Sequence, residues 1–286
     1  MKDLLKEKTY DIILIDSMNL AMRNHYAMQN LSHNGKHTGM LYGIAKFIFK
    51  MQVFYPKAKI IFLWEGVDSV RKSLDSSYKQ NRKNNTEIPL LVKEVQKYVK
   101  STKADQAYHI GLEADDLAGY YVNKKKKEDK LLLVSNDADW IQFLRKDKTV
   151  DIMQKEIIKT YSMIKSELGY PPERIGLWKV IRGDSSDNVH CVKGIPPFIM
   201  MNIVRRCSTI YQMRKLKLTE IDPTWLKYEH KISENWDTIK RNAKLVMFQP
   251  DWIVPKHIIY MKGHENKENL KRILEKNAIK SLIKEL

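Results

Sequence analysis

An α/β domain on a parallel sheet, followed by a smaller all-α domain, is the architecture this sequence predicts. Two observations carry that expectation. Short apolar runs of strand length, Asp11–Ile15, Lys59–Trp64 and Leu131–Val134, alternate with stretches of helical apolar spacing in the first half. From about Ser162 onward the spacing is helical throughout. The boundary therefore falls near Tyr161, giving an α/β domain over 1–161 and a helical one over 162–286.

Taken in order, DIILI (Asp11–Ile15) reads as a buried strand ended by Asp16 in DSMNL. Beyond Arg23 a polar segment leads to Thr38, where a helix begins and runs to about Tyr55. Its inward positions are Leu41, Ala45, Ile48, Phe49 and Val53. KIIFLW (Lys59–Trp64) is a second strand, ended by Glu65-Gly66. Residues 71–103 are polar and basic, interrupted by Asn84-Asn85 and Pro89, and the part from Ser73 to Thr86 is too poor in apolar residues for a core helix. Its cluster of Tyr78, Lys79, Arg82 and Lys83 suits contact with a base face and phosphates, although a solvated loop fits the segment as well.

Ala107–Ile110 is a short strand leading into a helix that opens with Glu113, Asp115 and Asp116. Leu131–Val134 follows as a buried strand, with Asp137 and Asp139 directly after it. Lys124–Lys127 forms the solvated C-terminal end of the acidic helix, where the dipole favours cations. Thr149–Tyr161 reads as an edge strand or hairpin. Later helices are expected near Pro172–Ile181, Pro197–Arg206, Glu234–Met247 and Lys267–Leu286.

In an open α/β sheet the carboxyl ends of strands and the amino ends of the following helices share one edge, where ligands bind. Both acid clusters of 111–140 then meet on that edge, placing five carboxylates close together. Helix capping accounts for Glu113 or Asp137 but not for five acids on one rim. Carboxylates that close repel unless cations lie between them, so the pattern points to a metal site. Asp184 and Asp187 sit in the turn-rich GDSSDN, and Gly194-Ile195-Pro196-Pro197 opens the next helix. A glycine turn at such a helix start exposes backbone N–H groups and suits a phosphate.

Composition narrows the partner. Lys and Arg number 51 against 34 Asp and Glu, a net charge of +17, and both halves of the chain are basic. An excess so spread suggests an extended polyanion, with a lysine-rich solvated surface as the plainer alternative. Cys191 and Cys207 offer neither a disulfide framework nor zinc spacing, which suggests a reducing compartment. No apolar run reaches membrane-spanning length, and MKDLLKEKTYD is too charged for a signal peptide. A soluble, cytoplasmic protein with no membrane partner is expected.

These motifs together resemble the 5′-nuclease (flap endonuclease) family, most closely its phage members. The matching residues run in family order: Asp16 with Asn19; Arg71, Tyr78-Lys79 and Arg82; Glu113-Ala114-Asp115-Asp116; Asp137 and Asp139 in SNDAD; Asp184 and Asp187 in GDSSDN, then VKGIP. The resemblance implies a PIN-like nuclease domain with a flexible basic arch over about 71–103. It also implies a helical duplex-binding domain with a helix–three-turn–helix near 183–206. Asp16, Glu65, Glu113, Asp115 and Asp116 would serve one metal cluster, and Asp137, Asp139, Asp184 and Asp187 a second. All-oxygen ligation suits two Mg²⁺ or Mn²⁺ ions. Lys79 and Arg82 would act on the scissile phosphate. Arg23, Arg71, Tyr78, Lys83, Lys193, Gly194 and Ile195 would contact DNA, with a potassium ion at the last turn. The implied reaction is two-metal hydrolysis of a phosphodiester leaving a 5′ phosphate, on DNA with a 5′ end or flap and on RNA–DNA hybrids, by a monomer.

Three departures stand out. Glu65 occupies a position where the family usually has Asp, the 79–113 segment is short for a threading arch, and GIPPF lacks the usual second glycine and nearby lysine. Exonuclease action is therefore better supported than flap cutting. Two alternatives are a PIN-type ribonuclease, opposed by the helical domain and GDSSDN, and an inactive DNA-binding relative, opposed by the full acid set. A nucleotide-binding Rossmann enzyme is a remote reading, because no glycine-rich loop follows the first strand.

Overall fold

A computed structural model describes residues 8–82 and 85–286. Lys83, one of the expected DNA contacts, lies outside the described residues. The chain opens with β1 (Ile12–Asp16) and α1 (Ser17–Ala27), then a small hairpin, β2 (Ser32–His33) and β3 (Lys36–His37), and α2 (Gly39–Phe54). Next come β4 (Lys59–Leu63), α3 (Val70–Leu74), α4 (Ile88–Lys100), β5 (Asp105–His109), α5 (Ala114–Lys124) and β6 (Leu131–Val134). The hairpin β7 (Val150–Gln154) and β8 (Ile157–Lys159) follows, turning at Lys155-Glu156, both with positive φ.

With β9 (Ile258–Met261) from the far end of the chain, the main sheet has the order β8-β7-β6-β1-β4-β5-β9. Strands β1, β4, β5, β6 and β7 are parallel, and the edge strands β8 and β9 are antiparallel to their neighbours. The unbroken apolar strands are explained by burial on both faces. Leu14, Ile61, Leu63, Leu131 and Leu133 point into one core. Ile13, Ile15, Phe62, Leu132 and Val134 point into the other. Chain order reverses about β1: β4 and β5 build outward on one side, β6 and β7 on the other. The carboxyl end of β1 is thus a topological switch point, where a crevice opens.

Helices α6 (Tyr161–Leu168), α7 (Ile175–Arg182), α8 (Pro197–Arg206), α9 (Ile210–Lys215), α10 (Leu226–Glu234) and α11 (Trp236–Val246) follow. Their buried residues, among them Val180, Ile199, Ile203 and Ile239, share one core with Leu14 and Leu133, so they seat on a face of the sheet without a break.

The remainder departs from the sequence reading. The stretch 258–286 had been expected in the helical domain, yet β9 (Ile258–Met261) pairs with β5, Gln106 opposite Met261 and His109 opposite Ile258. The expected long last helix is two, α12 (Lys267–Lys276) and α13 (Lys280–Ile283), broken where Ala278 adopts a left-handed φ of 54°. Leu270, Leu274, Ile279 and Leu282 pack with Ile88, Leu91 and Val95 of α4. The 71–103 segment is also more ordered than its composition suggests. Helices α3 and α4 lie within it, and α4 buries Ile88, Leu91, Val95, Tyr98 and Val99.

Candidate active site

Four of the parallel strands, β1, β4, β5 and β6, deliver an acid to the crevice. Asp16 closes β1 and caps α1, accepting from the Asn19 backbone N–H at 3.0 Å and from Ser135 Oγ at 2.7 Å. Burial pushes its carboxyl up to about 7, against these two bonds. Glu65 follows β4. After β5 the chain turns at Gly111, φ +88°, and Glu113 caps α5 in a reciprocal capping box with Asp116. Beyond β6, Asp137 caps a single 3₁₀ turn, Ala138–Phe143, accepting from the Asp139 N–H at 2.9 Å.

GDSSDN supplies the last pair. Gly183 has φ +76°, and an added Cβ would lie 2.5 Å from the Val189 carbonyl oxygen, so only glycine permits the turn. Asp184 then accepts from the Ser186 N–H at 2.9 Å, and Asn188 adopts a left-handed conformation. Oxygen atoms of Asp139, Asp184 and Asp187 lie within 4.8 Å of one another.

Asp16, Glu65, Glu113, Asp115, Asp137, Asp139 and Asp187 line one cavity of about 1080 Å³, together with Lys79, Arg82 and Arg23. Lys79 comes from the stretch between α3 and α4. Its N–H donates to the Asp187 carbonyl at 3.0 Å, its φ is +55°, and its Nζ lies 2.7 Å from Glu113 and 3.9 Å from Asp187. A left-handed lysine is a strained residue held by its surroundings, as functional sites often hold them. Arg82 pairs with Asp187 at 2.7 Å. Burial, and then Asp115, push the Glu113 carboxyl up to about 7.

Three expected ligands or contacts have other roles. Asp116 does not face the cavity: both its oxygens are taken by the Arg71 guanidinium, one at 2.7 Å. Arg71 is 2% exposed, donates through Nε to the Leu245 carbonyl at 2.9 Å, and stacks on Trp252. It cannot touch DNA and instead locks the start of α5 to α11. Tyr78, expected to face a base, is 2% exposed, and its hydroxyl lies between Glu113 (3.1 Å) and Asp187 (3.2 Å). The polar segment around it is pinned by Asp75, which pairs with Arg241. In the turn before α8, Lys193 is exposed and Gly194 has φ +79°, while Ile195 is buried in the core rather than presented to a ligand.

Lys179 was not anticipated. From α7 its Nζ pairs with Asp139 and, at 2.7 Å, with Asp184. The one available signal was a charged residue inside the apolar run IGLWKVI. Ser135, the donor to Asp16, was likewise overlooked.

The donor set fits divalent cations. Every candidate ligand is a carboxylate oxygen, the chemistry of hard ions. Among the described residues Asp16, Glu65, Asp115 and Asp137 have no side-chain ion-pair partner. Asp16, Glu113 and Asp139 are each pushed up to about 7, chiefly by burial. A raised carboxyl pKa means that the folded state binds the proton more tightly, so these groups favour folding below their ordinary values and lose that contribution as pH rises through about 7. Mg²⁺ competes with those protons. The rise in Tm on adding Mg²⁺ is therefore expected to be larger at pH 8 than at pH 5. Equal shifts at both pH values in differential scanning fluorimetry would remove these acids from the metal site.

Arg71 gives a second expected result. Arg71→Ala leaves Asp116 buried and unpaired, which costs roughly 3–5 kcal/mol. Thermal unfolding should show a lowered Tm in Arg71→Ala. An unchanged Tm would mean that the pair contributes nothing to the fold.

A parallel sheet with carboxylates gathered at its switch point and cations set among them suits the binding of divalent cations beside a phosphate group. The family description "5′-3′ exonuclease, N-terminal resolvase-like domain" matches residues 11–169, and the chain belongs to this family. It is 28% identical over 213 residues to the 5′-3′ exonuclease of Buchnera aphidicola subsp. Acyrthosiphon pisum, covering 71% of this chain and 73% of the relative. To the thermostable DNA polymerase I of Thermus filiformis it is 24% identical over 249 residues, 86% of this chain but only 29% of the polymerase. The solved structure of T5 5′-exonuclease with bound zinc superposes with a TM-score of 0.67 at 21% identity, covering 94% of this chain and 99% of that one. That likeness confirms the fold.

Proposed function

We propose that this protein hydrolyses phosphodiesters at the 5′ ends of DNA, with two divalent cations, Mg²⁺ or Mn²⁺, held by its acid cluster. The reading rests above all on the seven named carboxylates that line one cavity with Lys79, Arg82 and Arg23 at the switch point. Asp16, Glu65, Glu113 and Asp115 would hold one ion, and Asp137, Asp139, Asp184 and Asp187 the other. When bound, such ions polarise the phosphoryl oxygens and lower the pKa of an attacking water.

The chain's own groups supply the rest. Tyr78 spans Glu113 and Asp187 and fixes the spacing of the two acid groups. Lys179 holds Asp139 beside Asp184. Lys79 and Arg82 bring positive charge to the cavity wall and can follow a phosphate as it enters. Arg23 extends this wall. Exposed Lys193, at the glycine turn before α8, would meet duplex backbone, and that turn is where a potassium ion would sit.

Because α4 packs against the core and few residues separate it from α3, 5′-exonuclease action is favoured over threading a long flap. Two structural neighbours support a DNA substrate: a variant of the T5 D15 flap endonuclease was crystallised with DNA and metal ions, and the Rad2 catalytic core with DNA substrate. The test is a gel of 5′-labelled flap, nicked duplex and RNA–DNA hybrid, with and without Mg²⁺. Mg²⁺-dependent release of 5′-phosphorylated products from DNA is expected, the nicked duplex being cut at least as fast as the flap. Cleavage of single-stranded RNA alone, or none in Mg²⁺ or Mn²⁺, would overturn the proposal.

A further inference from the structure

Away from the acid cluster, a second groove of about 960 Å³ runs between α4 and the segment leading into α12. Leu90, Lys93, Lys97 and Lys100 stand at helical spacing on the α4 wall, all exposed. Asn269, Arg272, Ile273 and Lys276 stand at the same spacing on the α12 wall. Two basic stripes therefore face each other.

Neither groove carboxylate relieves the repulsion. Glu94 is paired with Lys36, and Glu265 with Lys103 at 3.2 Å. Among the described residues Lys93, Lys97, Lys100, Arg272 and Lys276 have no ion-pair partner. Facing like charges raise the energy of the empty groove and favour whatever anion fills it.

We propose that this groove docks an acidic peptide segment of a partner protein carrying aliphatic side chains. Three observations favour a peptide over a nucleic-acid strand. Among the described residues no Phe, Tyr or Trp lines the groove and only His264 offers a base a ring, whereas the active cavity carries exposed Tyr26. Leu90, 65% exposed, and half-buried Ile273 put an aliphatic patch on each wall, which suits a leucine or isoleucine anchor. Exposed Asn266 adds a neutral amide that can meet a peptide backbone, on a rim that the Asn269–Ser101 hydrogen bond holds in place. The proposal does not depend on the reaction assigned to the acid cluster.

The test uses a short fluorescein-labelled peptide of aspartates bearing two leucines, a second peptide with serines in their place, and a labelled oligothymidylate of similar length. Anisotropy is measured with the wild-type chain, with Lys97→Glu/Arg272→Glu, and with Lys126→Glu/Lys127→Glu as a charge-matched control outside the groove. The leucine peptide should bind the wild type and the control alike and lose roughly tenfold or more in affinity on the groove variant, as expected for two charge contacts of 1–2 kcal/mol together. The serine peptide should bind more weakly than the leucine peptide. Circular dichroism and retained nuclease turnover establish that the groove variant is folded. Three results would each overturn the proposal: no peptide binding by the wild type, equal losses in both variants, or a groove-specific loss for the oligothymidylate but not for the peptide. The last would assign the groove to nucleic acid.

Discussion

Asp184→Ala is expected to reduce cleavage by about 10³-fold or more while leaving duplex binding nearly intact. Asp184 is one of three carboxylates whose oxygens lie within 4.8 Å, so its loss takes a donor from a cation and not a contact from DNA. Lewis-acid stabilisation of the transition state is worth several kcal/mol, and each 1.36 kcal/mol is about tenfold in rate. The variant also leaves Lys179 with Asp139 alone, adding a positive charge where a divalent ion must enter. Rates should therefore recover only in part at high Mg²⁺. Single-turnover cleavage across a Mg²⁺ titration decides it, and a wild-type rate at low Mg²⁺ would remove Asp184 from the metal site.

Lys79→Ala should lower kcat by about 10²–10³, the size associated with losing one transition-state donor. The Lys79 side chain is 11% exposed and rests on Glu113, so it is not a solvated lysine. Removing it takes away a phosphate-directed charge but also frees Glu113 from its nearest cation. Apparent Mg²⁺ affinity should then hold or rise while kcat falls, a split that general destabilisation of the fold does not produce. Lys79→Arg should recover part of the rate. The comparison is Lys126→Ala, in the solvated run after α5, which should change the rate less than about twofold. Equal, small effects in the two alanine variants would show that Lys79 has no part in the chemistry.

The parallel sheet and most of the acid cluster were legible in the sequence because both obey local rules. A strand buried on two faces reads as an unbroken apolar run, and an acid at its end must fall on the carboxyl edge. Residues whose role depends on a distant partner were not legible. Arg71 looked like a DNA contact until Asp116 and the Leu245 carbonyl were seen to enclose it. Tyr78 sits among polar neighbours, yet the space between Glu113 and Asp187 buries it. Lys179 needed the fold of α7 against the 3₁₀ turn to become a partner of Asp139. Val53 had the right spacing for the core but is 75% exposed, because the buried stripe of α2 ends at Met51. Strand β9 offered four residues in a helical neighbourhood, and only its pairing with β5 identifies it.

That pairing orders events during synthesis. The outer edge of β5 offers unpaired N–H and C=O groups until Ile258–Met261 has left the ribosome, more than a hundred positions later. Until then the acids after β5 hang from an uncovered edge strand, and α4 lacks the apolar cover supplied by Leu270 and Leu274. The nascent chain thus cannot complete the platform beneath Glu113 and Asp115 until Ile258–Met261 has emerged. Such long-range closure slows folding and lengthens the exposure of a sticky edge. A chaperone that shields nascent strands would find its principal target in that interval.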